Sequence, residues 1–340
     1  MKQNTLLCFA SIVLIIGIQA REISLEDIKQ EYARPNNIPE NPDNPLTDAS
    51  IELGRKLFFE PRISASGLMS CASCHNPSLN WEDGLPTGVG HGHQKLSRST
   101  PTILNAAWNK ANFWDGRAET LEEQALGPIA APREMNMPLA EMLEVLNTIP
   151  GYKKLFEEAY PDEGISEETV AKAIANFERT IVSGEAPFDR WIAGSEDAIS
   201  EEAKRGFALF NTKANCSKCH SGWNFSDSSF HDIGLNTNDK GRGGFLGFDS
   251  MNHLFKTPTL RNVAERAPYM HNGSEATLED AIDLYNKGGR VKRDTLSKDI
   301  VPLNLDGQEV EDLIAFLKTL SSDDSEMSLP RLPSNFLTQK

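Results

Sequence analysis

The chain has 340 residues, with 49 acidic against 34 basic side chains, a net charge of −15 and 39% hydrophobic residues. That charge argues against nucleic acid, whose phosphates select a basic surface, and suits a basic redox partner instead. The length provides for two domains with ample core.

The chain opens on Lys2, followed by the apolar run LLCFASIVLIIGI (residues 6–18) and by Ile18-Gln19-Ala20. A cationic start, a short apolar stretch and a small residue at a cleavage point make a secretory signal, so residues 1–20 are expected to be removed. The 13 apolar residues fall short of the roughly 20 that a membrane span needs. An uncleaved anchor is the alternative. No later stretch is apolar enough to cross a bilayer, and the mature protein is expected to be soluble and, in a Gram-negative host, periplasmic.

Next comes CASCH at residues 71–75, and a second pentapeptide of the same form, CSKCH, at 216–220. In C-x-x-C-H both thiols fall on one side of a helical turn and can add to the vinyl groups of a haem. The histidine that follows is then an axial ligand, which makes this the attachment signature of c-type haem. A redox dithiol is the blander reading of one copy. A zinc ion joining Cys71, Cys74, Cys216 and Cys219 is the main competitor for both, but it leaves His75 and His220 without a role. Of the 5 cysteines only Cys8 lies outside the motifs, in the leader, so none remains for a disulfide. Two covalently bound haems are the expected cofactors.

The chain is written twice. PTILNAAWNKANFWDGRAETLE (101–122) lies over PTLRNVAERAPYMHNGSEATLE (258–279) at a constant offset of 157 without a gap. Upstream, LGRKLFF (53–59) before the first motif resembles RGFALFN (205–211) before the second. The period is far too long for a solenoid and implies two related haem domains in tandem. The division expected is 21–184 and 185–321, with a polar tail over 322–340.

Both domains read as helical, and the fold class expected is all-α. Val170, Ala173, Ile174, Phe177 and Ile181 share one helical face, as do Val310, Leu313, Ile314, Leu317 and Leu320. Asp306 or Gly307 begins the latter helix. Residues 184–200, with Gly184, Pro187 and Gly194, suit an interdomain connection, and Asn236–Asp249 reads as a glycine-rich loop. No stretch alternates as a strand does.

At the 157 offset Trp114 faces His271, Pro128 faces Tyr285 and Glu134 faces Val291. The first half has proline where the second has a candidate iron ligand, and an acid where the second has valine. The first haem is therefore expected to have an open or opening site. The second is expected to be six-coordinate and suited to electron transfer.

These residues carry a resemblance. LGRKLFF, PTILNAAW, FWDGRAETLEEQALGPI, ERTIVSGEAPFDR, FKTPTLRNVAERAPYMHNGS and DLIAFLKTL together resemble the bacterial di-haem cytochrome c peroxidases and the related MauG proteins over nearly the whole mature chain. The resemblance implies two cytochrome c-like domains, with a calcium ion and a tryptophan between the haems. It implies reduction of hydrogen peroxide by electrons entering through the C-terminal haem. It makes His75 and His220 the proximal ligands, and His91 of the GVGHGH loop a distal ligand of the first haem. Trp114 would lie between the haems, with Gln124, Pro128 and Glu134 lining the peroxide pocket. There Glu134 has the chemistry to carry a proton from the near to the far oxygen as the O–O bond breaks.

Two positions depart from the peroxidase pattern. Tyr285 stands where peroxidases have methionine and MauG proteins have tyrosine; its phenolate would make the second haem hard to reduce. Ser99 stands where a calcium-binding asparagine is usual, with the carbonyls of Arg266 and Pro268 completing that site. The first reading of function is a periplasmic peroxidase fed by a small cytochrome c or cupredoxin. The second is a MauG-like enzyme that uses peroxide to oxidise a protein substrate. The third, a plain electron carrier, explains neither Glu134 nor the helices expected between 135 and 183. A homodimer is entertained as the assembly.

Overall fold

The computed structural model describes residues 25–323 and 327–334; the expected leader, residues 1–20, lies outside them. Helices dominate. They are α1 (Leu25–Glu31), α2 (Asp48–Phe58), α3 (Cys71–Cys74), α4 (Leu121–Ala130), α5 (Leu139–Asn147), α6 (Pro150–Ala159), α7 (Glu167–Arg179), α8 (Pro187–Ile192), α9 (Glu201–Asn211), α10 (Gly241–Leu246), α11 (Leu278–Asn286) and α12 (Gly307–Lys318). Among the described residues the only strands are β1 (Phe230–His231) and β2 (Phe255–Lys256), paired antiparallel. No described helix is long and apolar enough to cross a membrane.

Each half is built on one helix crossing. In the first, α2 lies on α7; in the second, α9 lies on α12. Gly54 and Gly206 make these approaches possible. A Cβ on Gly54 would sit 1.8 Å from the Ala173 carbonyl oxygen, and one on Gly206 2.0 Å from that of Asp312. Both long C-terminal helices start on a reciprocal cap, Ser166 with Thr169 and Asp306 with Glu309. Their apolar faces are buried as the periodicity requires: Val170, Ala173, Ile174 and Phe177 in one, Leu313, Ile314 and Leu317 in the other. Each Val, Ile, Leu or Phe among them contributes about 1.5–3 kcal/mol by burial. Two cores result, one around Phe58, Phe156 and Phe177, the other around Phe188, Phe207, Phe225 and Phe316. The protein is thus two tandem helical domains.

Two local expectations are corrected. Residues 184–200 are not a bare connection. Pro187 opens α8, the Asp189 carboxylate accepts from the Ala186 N–H, and Phe188 and Trp191 are buried in the second core. The stretch 236–249 is not all loop. The Asp239 carboxylate accepts from the Gly241 N–H, and α10 runs until Gly247 turns left-handed at φ 77°. Pro and Gly signal the ends of such elements, and tertiary burial decides what lies between.

The chain ends cross over. Ile28 and Tyr32 pack into the second core, and Met327 packs against the first. Beyond it, the Ser328 carbonyl accepts from Arg55 and the Arg331 carbonyl from Lys56.

The halves meet face to face with the symmetry of the repeat. The Ser99 N–H donates to the His271 carbonyl at 2.7 Å, and the Lys256 N–H to the Trp114 carbonyl at 2.8 Å. These two bonds are the same bond in the two halves, since 99 corresponds to 256 and 114 to 271. Buried and half-buried pairs lock the contact: Arg266 with Glu82 at 2.7 Å, Asn262 with Asn80 at 2.7 Å, and Arg98 with Asp239 at 2.7 Å.

Candidate active site

The two C-x-x-C-H segments fold alike. The N–H of each histidine donates to the carbonyl of its motif's first cysteine at 2.9 Å, Cys71 for His75 and Cys216 for His220. His75 Nδ1 lies 3.1 Å from the Trp81 carbonyl and His220 Nδ1 2.8 Å from that of Phe225. An Nδ1–H given to a carbonyl leaves Nε2 with its lone pair free for a metal. Burial pushes both imidazoles below their ordinary range, so they stay neutral, as a ligand must. Burial also raises the thiols, Cys74 to about 11 and Cys216 to about 12.

Each motif opens onto its own cavity. The first is about 690 Å³ and the second about 250 Å³. Cys71, Cys74 and His75 line the first, and Cys216, Cys219 and His220 the second. Two thiols and a neutral imidazole on the wall of a cleft fit a haem in both places. The larger first cavity leaves more room beside such a group.

Gln124, Pro128 and Glu134 all line the first cavity. Gln124 and Pro128 are four residues apart on α4, so they share a face, and Thr120 caps that helix by accepting from the Glu123 N–H. Desolvation raises the Glu134 carboxyl above the usual range, and the Arg117 charge pulls it part of the way back. Arg117 is held over the Phe113 ring, 3.5 Å from its centroid, and by Asp115.

Tyr285 lines the second cavity from α11, at the place that Pro128 takes on α4. Its hydroxyl has no hydrogen-bond partner among the described residues. Burial holds the phenol well above the ordinary tyrosine range, with the thiols of Cys216 and Cys219 adding to the effect. Only a strong positive charge in the cavity would ionise it.

Trp114 lines both cavities. Its Nε1–H donates to the Ser99 carbonyl at 2.9 Å. Its ring meets His271 edge-on, with centroids 6.3 Å apart, and His271 stacks on Phe255 at 3.7 Å. His271 is buried and neutral, its imidazole pushed down to about 4.

His91 follows Gly90, which lines the first cavity, and its buried Nδ1 has no hydrogen-bond partner among the described residues. The His91 N–H is tied to the Glu134 carbonyl at 2.7 Å. Ser99, Arg266 and Pro268 come together on the wall of the second cavity. Glu82, on the same wall, is engaged by the Arg266 guanidinium at 2.7 Å.

Three residues at the cavities were not singled out from sequence. Lys256 lines both, with burial pushing its amine down to about 8. His231 lines the second and pairs with Asp227 at 2.8 Å, which is the main reason its imidazole rises to about 10. Glu178 lines the first. Laying NFERTI (176–181) over AFLKTL (315–320) would have exposed Glu178 as the acid opposite Leu317.

Comparison with known proteins agrees with this arrangement. Residues 48–197 match the family model for di-haem cytochrome c peroxidase, and 203–321 that for cytochrome c. The chain is 50% identical to the methylamine utilization protein MauG of Methylorubrum extorquens, covering 92% of this chain and 90% of that one. It is 38% identical to the cytochrome c551 peroxidase of Nitrosomonas europaea, over 87% of this chain and 85% of the relative. The crystal structure of a MauG-like protein associated with microbial copper homeostasis superposes with a TM-score of 0.78 at 32% identity, covering 85% of this chain and 95% of that one. The chain belongs to the family of di-haem cytochrome c peroxidases and MauG proteins, oxidoreductases that use peroxide and carry haem in two tandem helical domains.

Proposed function

We propose that this protein uses hydrogen peroxide to oxidise a protein substrate, the second of the two enzymatic readings given above. The observation that carries the choice is Tyr285. Tyr285 lines the second cavity from the helix position where the first half has proline. A phenolate ligand favours the oxidised iron and makes this haem a poor entry point for electrons from an ordinary donor. The higher identity to MauG than to the peroxidases points the same way, and the relatives' name suggests a substrate protein in methylamine utilisation.

Each haem, when held by thioethers to the two cysteines of its motif, supplies an iron that exchanges electrons and, in the first cavity, a position for peroxide. His75 and His220 would hold the irons, since Nδ1 of each lies against a backbone carbonyl and leaves the other ring nitrogen free. Glu134 accepts the proton of the near peroxide oxygen and returns it to the far one, which leaves as water. Its raised proton affinity suits both acts. Gln124 and Pro128 wall the reacting oxygens. Overall, peroxide takes two electrons and two protons to give two waters, and the substrate protein supplies the electrons. They pass the domain boundary by Trp114, which touches both cavities. Ser99 with the carbonyls of Arg266 and Pro268 is the proposed calcium site, and export through residues 1–20 is the proposed route to the periplasm.

The test is to add peroxide to the fully oxidised protein with no reductant present. The absorption of both haems is expected to change at once. A protein that reacts only after its second haem has been reduced would instead be a peroxidase driven by a donor cytochrome or cupredoxin. Tyr285→Met is expected to move the enzyme toward that behaviour. Identical low-spin electron paramagnetic resonance signals in wild type, Tyr285→Met and Tyr285→Phe would overturn the role given to Tyr285.

A further inference from the structure

Helices α7 and α12 pack in equivalent ways, Ala173 against Gly54 and Asp312 against Gly206. Equivalent residues on them are therefore 139 apart, and Glu178 corresponds to Leu317. Both point into their own cavities, Glu178 beside Ile174 in the first and Leu317 beside Leu313 in the second. A leucine here is what a haem-facing core position ordinarily holds. The glutamate is 4% exposed, and its Oε2 has no hydrogen-bond partner.

A carboxylate in that place would cost several kcal/mol, so the side chain is a neutral acid. Burial raises its carboxyl to about 8, with Arg179 opposing the shift only in part. The charged groups around it are committed elsewhere. Arg179 turns to Asn176 at 3.1 Å and to Glu122 of α4 at 2.8 Å. On α2, Glu52 is paired with Arg55 and Lys56. Cys71 on α3 is a further ionisable neighbour, and a thioether would leave it no thiol proton to lose.

We propose that Glu178 is a second proton-holding carboxyl of the first haem site, distinct from Glu134, which keeps its proton while the iron is reduced and releases it as an electron is withdrawn. One electron leaves the iron for an acceptor, peroxide in turnover or a mediator in a titration. One proton leaves Glu178 for water, and the local charge stays constant. The second half, with Leu317, has no such group. Electron loss at the first haem is then coupled to proton release, and electron loss at the second is not. The inference rests on a haem in the first cavity but not on peroxide chemistry or on any substrate.

The experiment is a spectroscopic redox titration of the first haem in the intact di-haem protein, from about pH 6 to about pH 10, without peroxide. The wild-type reduction equilibrium is expected to shift by up to tenfold per pH unit across part of that range, which is about 59 mV for one electron. Glu178→Gln and Glu178→Leu are expected to flatten it. Glu178→Leu copies what the fold already accommodates at 317, and Glu178→Gln keeps the shape, so haem content and melting temperature report whether each variant is intact. In parallel, oxidation by ferricyanide in weak buffer is expected to release fewer protons from Glu178→Gln than from wild type. A flat wild-type profile, or equal slopes and equal proton release in wild type and Glu178→Gln, overturns the proposal. Either result would leave the peroxide test of the preceding subsection untouched.

Discussion

Helices α4 and α11 begin alike. Thr120 accepts from the Glu123 N–H and Thr277 from the Asp280 N–H, and Leu121 and Leu278 follow at equivalent buried positions. Their inward faces then diverge. The first has Gln124 and Pro128 where the second has Ala281 and Tyr285, and all four line the cavity of their own half. The same contrast recurs on α7 and α12, with Glu178 against Leu317. Duplication has kept what holds the backbone: the glycine crossings, the caps and the histidine–carbonyl bonds. It has changed what touches the occupant. At these matched helix positions the first cavity receives an amide, a proline and a carboxyl, where the second receives an alanine, a candidate ligand and a leucine. A reactive centre and an electron store can thus share one scaffold.

The largest test of this contrast is Glu134→Gln. It removes the proton carrier from the first half only, and peroxide reaction measured by stopped flow is expected to slow by roughly 10²–10⁴, with both haems still bound. An unchanged rate would erase the catalytic difference between the halves. The mass of the purified protein sharpens the comparison from the other side: it should exceed the mature chain by two haems, and haem stain should survive denaturing electrophoresis. Cys71→Ala with Cys74→Ala should remove only the first haem from the stained band.

The shared scaffold is tested by Gly54→Ala and Gly206→Ala. Each added methyl meets a backbone carbonyl across a helix crossing, and overpacking of this kind costs about 1–3 kcal/mol. Thermal melts of the two variants should fall by similar amounts; a harmless substitution at one site would mean that the halves are not held alike. Trp114→Phe should leave both haem spectra nearly intact and slow electron passage between them, which flash photolysis of the half-reduced protein can time. Equal rates would remove Trp114 from the path.

The smallest expected effect is on stability against pH. The Glu178 carboxyl has a folded value raised to about 8, against about 4.3 in an unfolded chain. The native state therefore holds the proton more tightly, and its contribution is lost as pH climbs from about 4.3 through about 8. Glu178→Gln should flatten the fall in melting temperature over that interval. A parallel decline in wild type and variant would assign the slope to other groups.

The sequence alone determined the attachment chemistry and the duplication. Two C-x-x-C-H motifs and an ungapped offset of 157 are local or repeated patterns, and they need no coordinates. The apolar faces of α7 and α12 were equally plain, because burial of a helix stripe leaves a 3.6-residue period in the chain. The repeat singled out Glu134, Pro128 and Tyr285, the family resemblance added Gln124, and all four residues line a cavity. Tertiary structure decided the rest. Residues 184–200 read as a connection because Gly and Pro are strong local signals, yet Phe188 and Trp191 are drawn into the second core from that stretch. The backbone of His91 is held beside the first cavity by the Arg133 and Glu134 carbonyls, a contact across more than 40 residues of chain. Glu178 is marked in the sequence only by facing Leu317 when the two helices are laid together. Only the packing of α7 on α2 turns it inward, where a carboxyl must keep its proton or find a counter-charge. Placement of this kind depends on contacts between residues far apart in the chain, and local pattern carries no record of them.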